Sequence, residues 1–182
     1  SAASDVYKRQ HMEPNKINNF ITEEERITLV KWAYSNNENM TVNPMGPFRQ
    51  YCKIQNSKNN ELALTIENRI NNKFSLEKKG FIEEPSLGSI LSVINPGGFV
   101  HTHKDEGPQH RFNLIVQLPT TGGKPIYDDS LLSVKERDLL YYRPDLFFHG
   151  TTMVQGEKDR IVISYGWSKK IVNHLGKNEK LG

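Results

Sequence analysis

The stretch FFHGTTMVQGEKDRIVISYGW, residues 147–167, joins two apolar, strand-like runs, each of which carries an isolated polar side chain. His149 is the one imidazole in the first run, and Arg160 opens the second, very apolar run. Because side chains alternate between the two faces of a strand, Val162 and Ser164 share a face with Arg160. We expect this face to point into the protein.

A buried guanidinium at Arg160 needs an anionic partner, since an unpaired buried charge costs several kcal/mol. One interpretation is a structural ion pair with Asp138 or Asp145. The other is a carboxylate ligand held by the planar, two-pronged guanidinium.

The chain around this stretch, from Leu87 onward, predicts short strands separated by turns. Turn signals such as Pro-Gly-Gly, Asp-Glu-Gly-Pro and Thr-Gly-Gly separate the runs. Eight short strands with regular turns indicate a sandwich or a jelly roll. The eight runs are SILSVINP, FVHTH, RFNLIVQLP, KPIYDD, LLSVK, DLLYYRP, FFHGTTMV and RIVISYGW.

Two helices are predicted before the strands. In NNFITEEERITLVKWAYSN, Thr22 and Glu25 have the spacing of a capping box. We expect its apolar side to comprise Ile27, Val30, Trp32 and Tyr34. The second helix is ELALTIENRINNKF, and its apolar face is predicted to comprise Leu62, Ile66, Ile70 and Phe74.

The length of 182 residues suits one domain. Residues 1–11 resemble a translated sequencing adapter, with Met12 as a plausible true start. We predict a helical layer over 12–86, a catalytic β core over 87–168 and a polar tail over 169–182. The segment NPMGPFRQYCKIQ, residues 43–55, is either a substrate flap or an ordinary connection.

The composition excludes several classes of protein. Hydrophobic residues make up 36% of the chain and charged residues 25%, which is typical of globular proteins. No apolar run approaches about 20 residues, so a membrane span is not expected. The single Cys52 excludes an internal disulfide, fits a cytoplasmic location and is interpreted as a plain strand residue. The net charge of +3 is scattered, which argues against nucleic acid as a partner.

The stretch GGFVHTHKDEGPQH, residues 97–110, is rich in metal-ligand side chains. In an extended strand His101, His103 and Asp105 would point the same way, and His103 and Asp105 could converge on one ion. An H-x-D pair alone is weak evidence, and a polar surface is the plainer interpretation. With His149 the set becomes two imidazoles and one carboxylate, a facial triad with open positions that favours Fe(II). A structural zinc site would want four closed ligands, usually including cysteine.

This pattern resembles the Fe(II)- and 2-oxoglutarate-dependent dioxygenases, in particular the prolyl-4-hydroxylase-like branch, over roughly residues 20–167. The family's H-x-D motif falls on His103 and Asp105, and its glycine pair on Gly122 and Gly123. Its v-x-x-x-G-D turn appears as VKERDLLYY, with Arg137 in place of the usual glycine. Its distal segment is matched by His149, Val154, Gly156, Arg160 and Trp167.

The resemblance implies a double-stranded β-helix, a cupin-like jelly roll, preceded by N-terminal helices. His103, Asp105 and His149 would bind iron, and Arg160 would hold the distal carboxylate of 2-oxoglutarate. The enzyme would hydroxylate a C–H bond while 2-oxoglutarate and O2 become succinate and CO2, with ascorbate as a candidate reductant. The carboxylate of Asp105 favours hydroxylation over halogenation, because the related halogenases lack it.

Other polar residues are secondary candidates. In HRFNLIVQLP, Arg111, Asn113 and Gln117 alternate with apolar residues, which fits either a solvated strand face or, for Asn113 and Arg111, contacts to co-substrate or substrate. Ser164 is a candidate contact for the co-substrate carboxylate, although the family often places that hydroxyl at the position of Val162. The remaining histidines are assigned as follows: His101 to the cavity rim or, as an alternative, to the metal; His110 to a loop, exposed or near substrate; His174 to no role.

Two further functions stay open at this point. A cupin-like metalloenzyme would use the same triad without 2-oxoglutarate, and it predicts no role for Arg160. A non-catalytic jelly-roll binding module predicts that a ligand is missing. The substrate is not readable from the sequence: a protein side chain, an amino acid, a small metabolite and a nucleobase all fit.

Overall fold

The computed structural model describes residues 14–170. The predicted adapter segment 1–11, His174 and all but the first two residues of the predicted tail lie outside this range. Within it, no helix combines the length and the apolar character that crossing a membrane requires.

Two α-helices occur where the sequence predicts them, α1 at Glu23–Ser35 and α2 at Glu61–Phe74. The capping box of α1 is confirmed: the Glu25 amide donates to Thr22 Oγ1 at 3.1 Å, and the Thr22 amide donates to Glu25 Oε1 at 2.9 Å. The predicted apolar side of α1 is wrong in part. The helix buries Leu29, Trp32 and Ala33, whereas Ile27 and Tyr34 are 43% and 40% exposed.

The remainder is mainly antiparallel β-structure. The strands are β1 Asn15–Ile17, β2 Thr41–Val42, β3 Arg49–Lys53, β4 Phe81–Glu83, β5 Ile90–Ile94, β6 His110–Gln117, β7 Thr121–Gly122, β8 Pro125–Tyr127, β9 Ser130–Leu131, β10 Leu139–Tyr142, β11 His149–Thr151, β12 Val154–Gln155 and β13 Arg160–Lys169. Eight of them form one sheet in the order β1-β10-β6-β13-β5-β3-β2, with β4 also paired to β13. A three-stranded sheet has the order β11-β8-β9, and β7 pairs with β12.

The long strand β13 shows how the large sheet divides the molecule. Ile161, Ile163 and Tyr165 belong to the hydrophobic core, which also contains Leu29 of α1 and Ile66 of α2. The alternate side chains of Arg160, Val162 and Ser164 line a cavity on the other face. The predicted shared, inward face of these three residues is therefore confirmed, and the helices cover the opposite face.

Two predicted features differ from the structure. FVHTH forms no strand, and an isolated bridge joins His103 to His149. The segment 12–86, predicted as a helical layer, also supplies β1, β2, β3 and β4 to the large sheet. Cys52 is a buried residue of β3, as predicted.

Candidate metal and ligand site

A cavity of about 150 Å³ lies between the large sheet and the three-stranded sheet. The large sheet contributes Ser92, Asn113 and Arg160 to its lining, and the small sheet contributes Tyr127 and His149. All three predicted metal ligands border this cavity.

The backbone brings the two imidazoles together. His103 and His149 form a bridge in which each amide donates to the other residue's carbonyl, at 3.0 and 2.9 Å. Residues paired in this way carry their side chains on the same side of the ladder. The Asp105 amide donates to the Pro144 carbonyl at 3.0 Å, which fixes the turn that returns the carboxylate to the pair.

The three candidate ligands converge on one point. Asp105 Oδ1 lies 3.0 Å from His103 Nε2 and 3.6 Å from His149 Nε2, and the three ligand atoms all lie within 4.8 Å of one another. On the far side of each ring, Nδ1 faces a backbone carbonyl, that of His101 at 2.7 Å and that of Phe147 at 3.4 Å. A hydrogen bond at Nδ1 leaves Nε2 as the donor atom for a metal.

The protonation of the triad follows from its burial and its charges. Burial lowers the pKa of His149 to about 4, so this ring is neutral at physiological pH. Burial alone would raise the pKa of Asp105, but the hydrogen bond from His103 and the nearby imidazoles outweigh it and keep the carboxyl ionised. The Asp105 hydrogen bond raises the pKa of His103. The side chains of His103, Asp105 and His149 therefore direct three electron-pair donors at one point, where a proton or a metal cation would be stabilised.

The donor set fits a catalytic metal. Two imidazole nitrogens and one carboxylate oxygen on adjacent short segments match the facial triad that binds non-haem Fe(II). The open cavity on one side of the triad leaves room for further ligands. The His101 ring is not part of this group of three: it is exposed and packs edge-on against Phe99 at 4.9 Å.

Arg160 is 6% exposed and has no acidic partner within residues 14–170. Its Nε donates to the Gly123 carbonyl at 2.9 Å. The interpretation of Arg160 as a member of a structural ion pair is wrong, because the two candidate acids have other partners: Asp138 accepts from the Lys135 amide, and Asp145 pairs with Arg143 at 2.6 Å. Burial, together with the nearby Arg49 charge, lowers the pKa of Arg160 to about 10, so the guanidinium stays charged.

The glycine pair shapes the wall behind Arg160. Gly122 and Gly123 have φ of 71° and 62°. A Cβ at Gly122 would lie 1.8 Å from the Met153 carbonyl oxygen, and one at Gly123 would lie 3.1 Å from Arg160 Cδ. Only glycine fits both positions without displacing the strand or the guanidinium. In the turn of VKERDLLYY, Arg137 stands where the family usually has glycine. Arg137 adopts φ of 78°, a conformation that glycine favours.

The secondary candidates divide into two groups. Asn113 and Ser164 are register partners on β6 and β13, and both line the cavity. Asn113 Oδ1 is buried and has no hydrogen-bond partner among the described residues, so it offers a free acceptor.

Arg111 borders the cavity, but its guanidinium is occupied, which argues against the predicted co-substrate contact. It donates to Glu84, to the Gly88 carbonyl and to Gln109. Both members of the ion pair with Glu84 have side chains only 4% exposed. We assign Arg111 a structural role instead.

His110 is also placed differently from the prediction. It opens β6, Nδ1 lies 2.7 Å from the Tyr141 hydroxyl, and its ring packs edge-on against Phe81 at 4.8 Å. It is half-buried and does not line the cavity, so it is neither a loop residue nor a substrate neighbour. The alternation in HRFNLIVQLP contained this signal, since it places residue 110 on the face of the core residue Phe112.

Several cavity residues were not singled out in the sequence, and Tyr142 and Arg49 are the most informative of them. Tyr142 lines the cavity and accepts a hydrogen bond from Asn113 Nδ2 at 3.2 Å, and burial raises the pKa of its phenol. The register of β10 with β6, which pairs Tyr142 with Arg111, could not be read from the sequence. Arg49 also lines the cavity, and it sits at the start of β3 after a turn-rich segment that gave no strand signal.

No protein-family model and no curated protein sequence matches the chain. Solved structures do match it. A collagen prolyl hydroxylase from Paramecium Bursaria Chlorella virus-1, in complex with 2-oxoglutarate, has a TM-score of 0.68 at 12% identity, over 86% of this chain and 97% of the viral one. HygX from Streptomyces hygroscopicus, with nickel, 2-oxoglutarate and hygromycin B bound, has a TM-score of 0.69 at 12% identity, over 92% and 87%.

A Pseudomonas putida prolyl-4-hydroxylase has a TM-score of 0.63 at 14% identity, over 94% of this chain and 100% of that protein. At such low sequence identity, the structural similarity shows the fold alone. The chain has the fold that is common to these iron- and 2-oxoglutarate-dependent enzymes.

Proposed function

We propose that the protein is an Fe(II)- and 2-oxoglutarate-dependent oxygenase that hydroxylates a C–H bond of its substrate, with conversion of 2-oxoglutarate and O2 to succinate and CO2. We further propose that residues 87–168 form a double-stranded β-helix on which the N-terminal helices pack. One observation carries the functional proposal. The same cavity holds a three-donor metal triad and, at Arg160, a buried guanidinium that has no acidic partner within residues 14–170.

Three residues of the cavity would bind the metal. His103, Asp105 and His149 would hold the metal, and the backbone carbonyls of residues 101 and 147 keep both imidazoles in the ligating tautomer. Bound iron supplies Lewis acidity and the activation of O2.

Arg160 would hold the distal carboxylate of 2-oxoglutarate through the N–H groups that Gly123 leaves free. Asn113 and Ser164 line the same cavity and would orient the polar parts of the co-substrate. The low exposure of Arg160 keeps this pair out of water, where a charge-assisted hydrogen bond is stronger.

The test is an anaerobic absorbance titration with Fe(II) and 2-oxoglutarate. Wild type should show a visible charge-transfer band that requires both components. Arg160→Ala should need about 10- to 100-fold more 2-oxoglutarate for the same band, since a hydrogen bond to a charged group contributes about 1.5–3 kcal/mol. The matched control is Arg26→Ala, because Arg26 pairs with Glu23 on α1 and does not line the cavity.

Each other outcome has a distinct meaning. Bound iron without a 2-oxoglutarate-dependent band would support a cupin-like metalloenzyme that does not use this co-substrate. Absence of bound iron would support a non-catalytic binding module. An equal loss of affinity in Arg26→Ala would mean that the Arg160 effect reflects general destabilisation.

The substrate proposal stays broad at this level. Of the similar structures, one is a collagen prolyl hydroxylase and another holds hygromycin B, so this fold accommodates substrates of very different size. We propose an amino acid, a protein side chain or a small metabolite, converted in the cytoplasm.

A further inference from the structure

A second arginine, Arg49, lines the same cavity beside Arg160. Arg49 on β3 and Arg160 on β13 are both register partners of Ile94 on β5. Two strand spacings, about 10 Å, therefore separate their Cα atoms. Residues paired across a sheet share a face, and accordingly both guanidinium groups line the cavity.

The Arg49 guanidinium has no ion-pair partner among the residues that the structure describes. Its Nε is buried without a hydrogen-bond partner, and no acidic side chain within residues 14–170 forms an ion pair with it. A buried donor left unsatisfied costs about 1–3 kcal/mol, and more when it is charged. No protein group in the described residues offsets this cost, whereas a bound anion would offset it by pairing with the guanidinium.

The net charge of the cavity stays positive after metal and co-substrate are counted. Arg111 is neutralised by Glu84, so Arg49, Arg160 and Asp105 are the charges that remain among the lining residues. Two cations and one anion leave one positive charge, and a divalent metal adds two. 2-Oxoglutarate is a dianion, so one positive charge is still unmatched when metal and co-substrate are bound.

Arg49 is the more exposed of the two arginines, since its side chain is half-buried. It follows directly after Phe48, which is 66% exposed, and Met45 lines the cavity at 36% exposure. Arg160, by contrast, is 6% exposed. Burial lowers the pKa of Arg49, and the nearby Tyr142 and Asp105 act against this effect.

We propose that Arg49 binds a carboxylate of the substrate, and that Met45 and the other apolar residues lining the cavity receive the body of an organic acid. This inference rests on the proposed function and specifies its substrate class. The alternative source of a carboxylate is 2-oxoglutarate itself, and the experiment separates the two.

The experiment uses calorimetry on protein loaded with Mn(II) and 2-oxoglutarate in the absence of oxygen. The probes are matched acid and amide pairs: hexanoate with hexanamide, and 3-phenylpropanoate with 3-phenylpropanamide. The variant is Arg49→Gln. The matched control is Lys53→Gln, which removes a positive charge from the exposed end of the same strand.

Wild type and Lys53→Gln should bind the acids about 10- to 100-fold more tightly than the amides, the range for a hydrogen bond to a charged group. In Arg49→Gln the preference should fall to near unity, while the Kd of 2-oxoglutarate changes by less than about threefold. The thermal midpoint of ligand-free Arg49→Gln should equal or exceed that of wild type, because an unpaired buried charge is removed.

Two results overturn the inference. If Arg49→Gln weakens 2-oxoglutarate as strongly as Arg160→Ala does, Arg49 serves the co-substrate. If wild type shows no preference for acids over amides with either pair, Arg49 does not bind a substrate carboxylate. Failure of the wild type to bind 2-oxoglutarate contradicts the proposed function instead, and the acid–amide comparison on the Mn(II) protein then decides the role of Arg49 separately.

Discussion

The ion pair of Arg111 with Glu84 allows a quantitative test of the structural role assigned to Arg111. Both side chains are 4% exposed, and Arg111 Nη2 lies 3.1 Å from Glu84 Oε2. Breaking a buried pair by removing one partner typically costs about 3–5 kcal/mol, because the other charge is left uncompensated. We therefore expect both single substitutions to destabilise the protein by amounts in this range.

The surroundings of the pair predict which substitution is worse. After Arg111→Met, the Glu84 carboxylate still accepts from the amides of Ser86, Leu87 and Gly88. We expect a loss near the lower limit, about 3 kcal/mol. Glu84→Leu removes the acceptor of those three amides as well as the counter-charge of Arg111, so the loss should approach about 5 kcal/mol.

Urea denaturation of the two single variants and the double variant measures these quantities. The double variant should be more stable than the sum of the single losses implies, with a coupling free energy of up to about 3 kcal/mol. The refuting result is specific. If Arg111→Met changes the unfolding free energy by less than about 0.5 kcal/mol and instead weakens 2-oxoglutarate, Arg111 is a co-substrate contact after all.

Two further predictions concern backbone geometry and pH. Gly123→Ala should weaken the binding of 2-oxoglutarate more than Gly80→Ala does. Both glycines have positive φ, but a Cβ at Gly123 would press on Arg160, whereas a Cβ at Gly80 would have nothing within 4 Å. Equal affinities of the two variants for 2-oxoglutarate in the titration would contradict this prediction. Burial lowers the pKa of His110 from its usual 6.5 to about 4. Between pH 6.5 and 4 the His110 imidazole is therefore protonated in the unfolded chain but neutral in the folded protein. The free energy of unfolding falls as the pH drops through this interval. In urea denaturation across this interval His110→Phe should show a smaller fall than wild type, and an equal fall would refute the assignment.

The features that the sequence predicted well are those that depend on neighbours along the chain. The capping box needs only Thr22 and Glu25, and it is present. The inward face of Arg160, Val162 and Ser164 needs only the alternation of one strand. In both cases the interaction or the geometry is complete within a few residues, so local pattern and tertiary structure agree.

The features that the sequence did not predict depend on partners far along the chain. Arg111 is neutralised by Glu84, 27 residues away, and no local pattern marks that pairing. Arg49 reaches the cavity only because β3 aligns with β5 in one register. FVHTH had the composition of a strand, but its hydrogen bonds go to separate segments, from Val100 to Thr151 and from His101 to Met45, and only the bridge from His103 to His149 is regular β-pairing. Register between distant strands is set by packing of the whole sheet, which one sequence does not display.

The contrast between three buried arginines gives the strongest support for ligand binding in this cavity. Arg111 is paired with a carboxylate and with two further acceptors, so the fold does neutralise a buried cation where stability requires it. Arg49 and Arg160, on the same sheet, have no acidic partner among the described residues although both line the cavity. Charges left unpaired at a cost in stability are expected at functional sites, where a ligand completes them. The two unpaired guanidinium groups therefore indicate two anionic groups in the bound state, one of which the co-substrate provides.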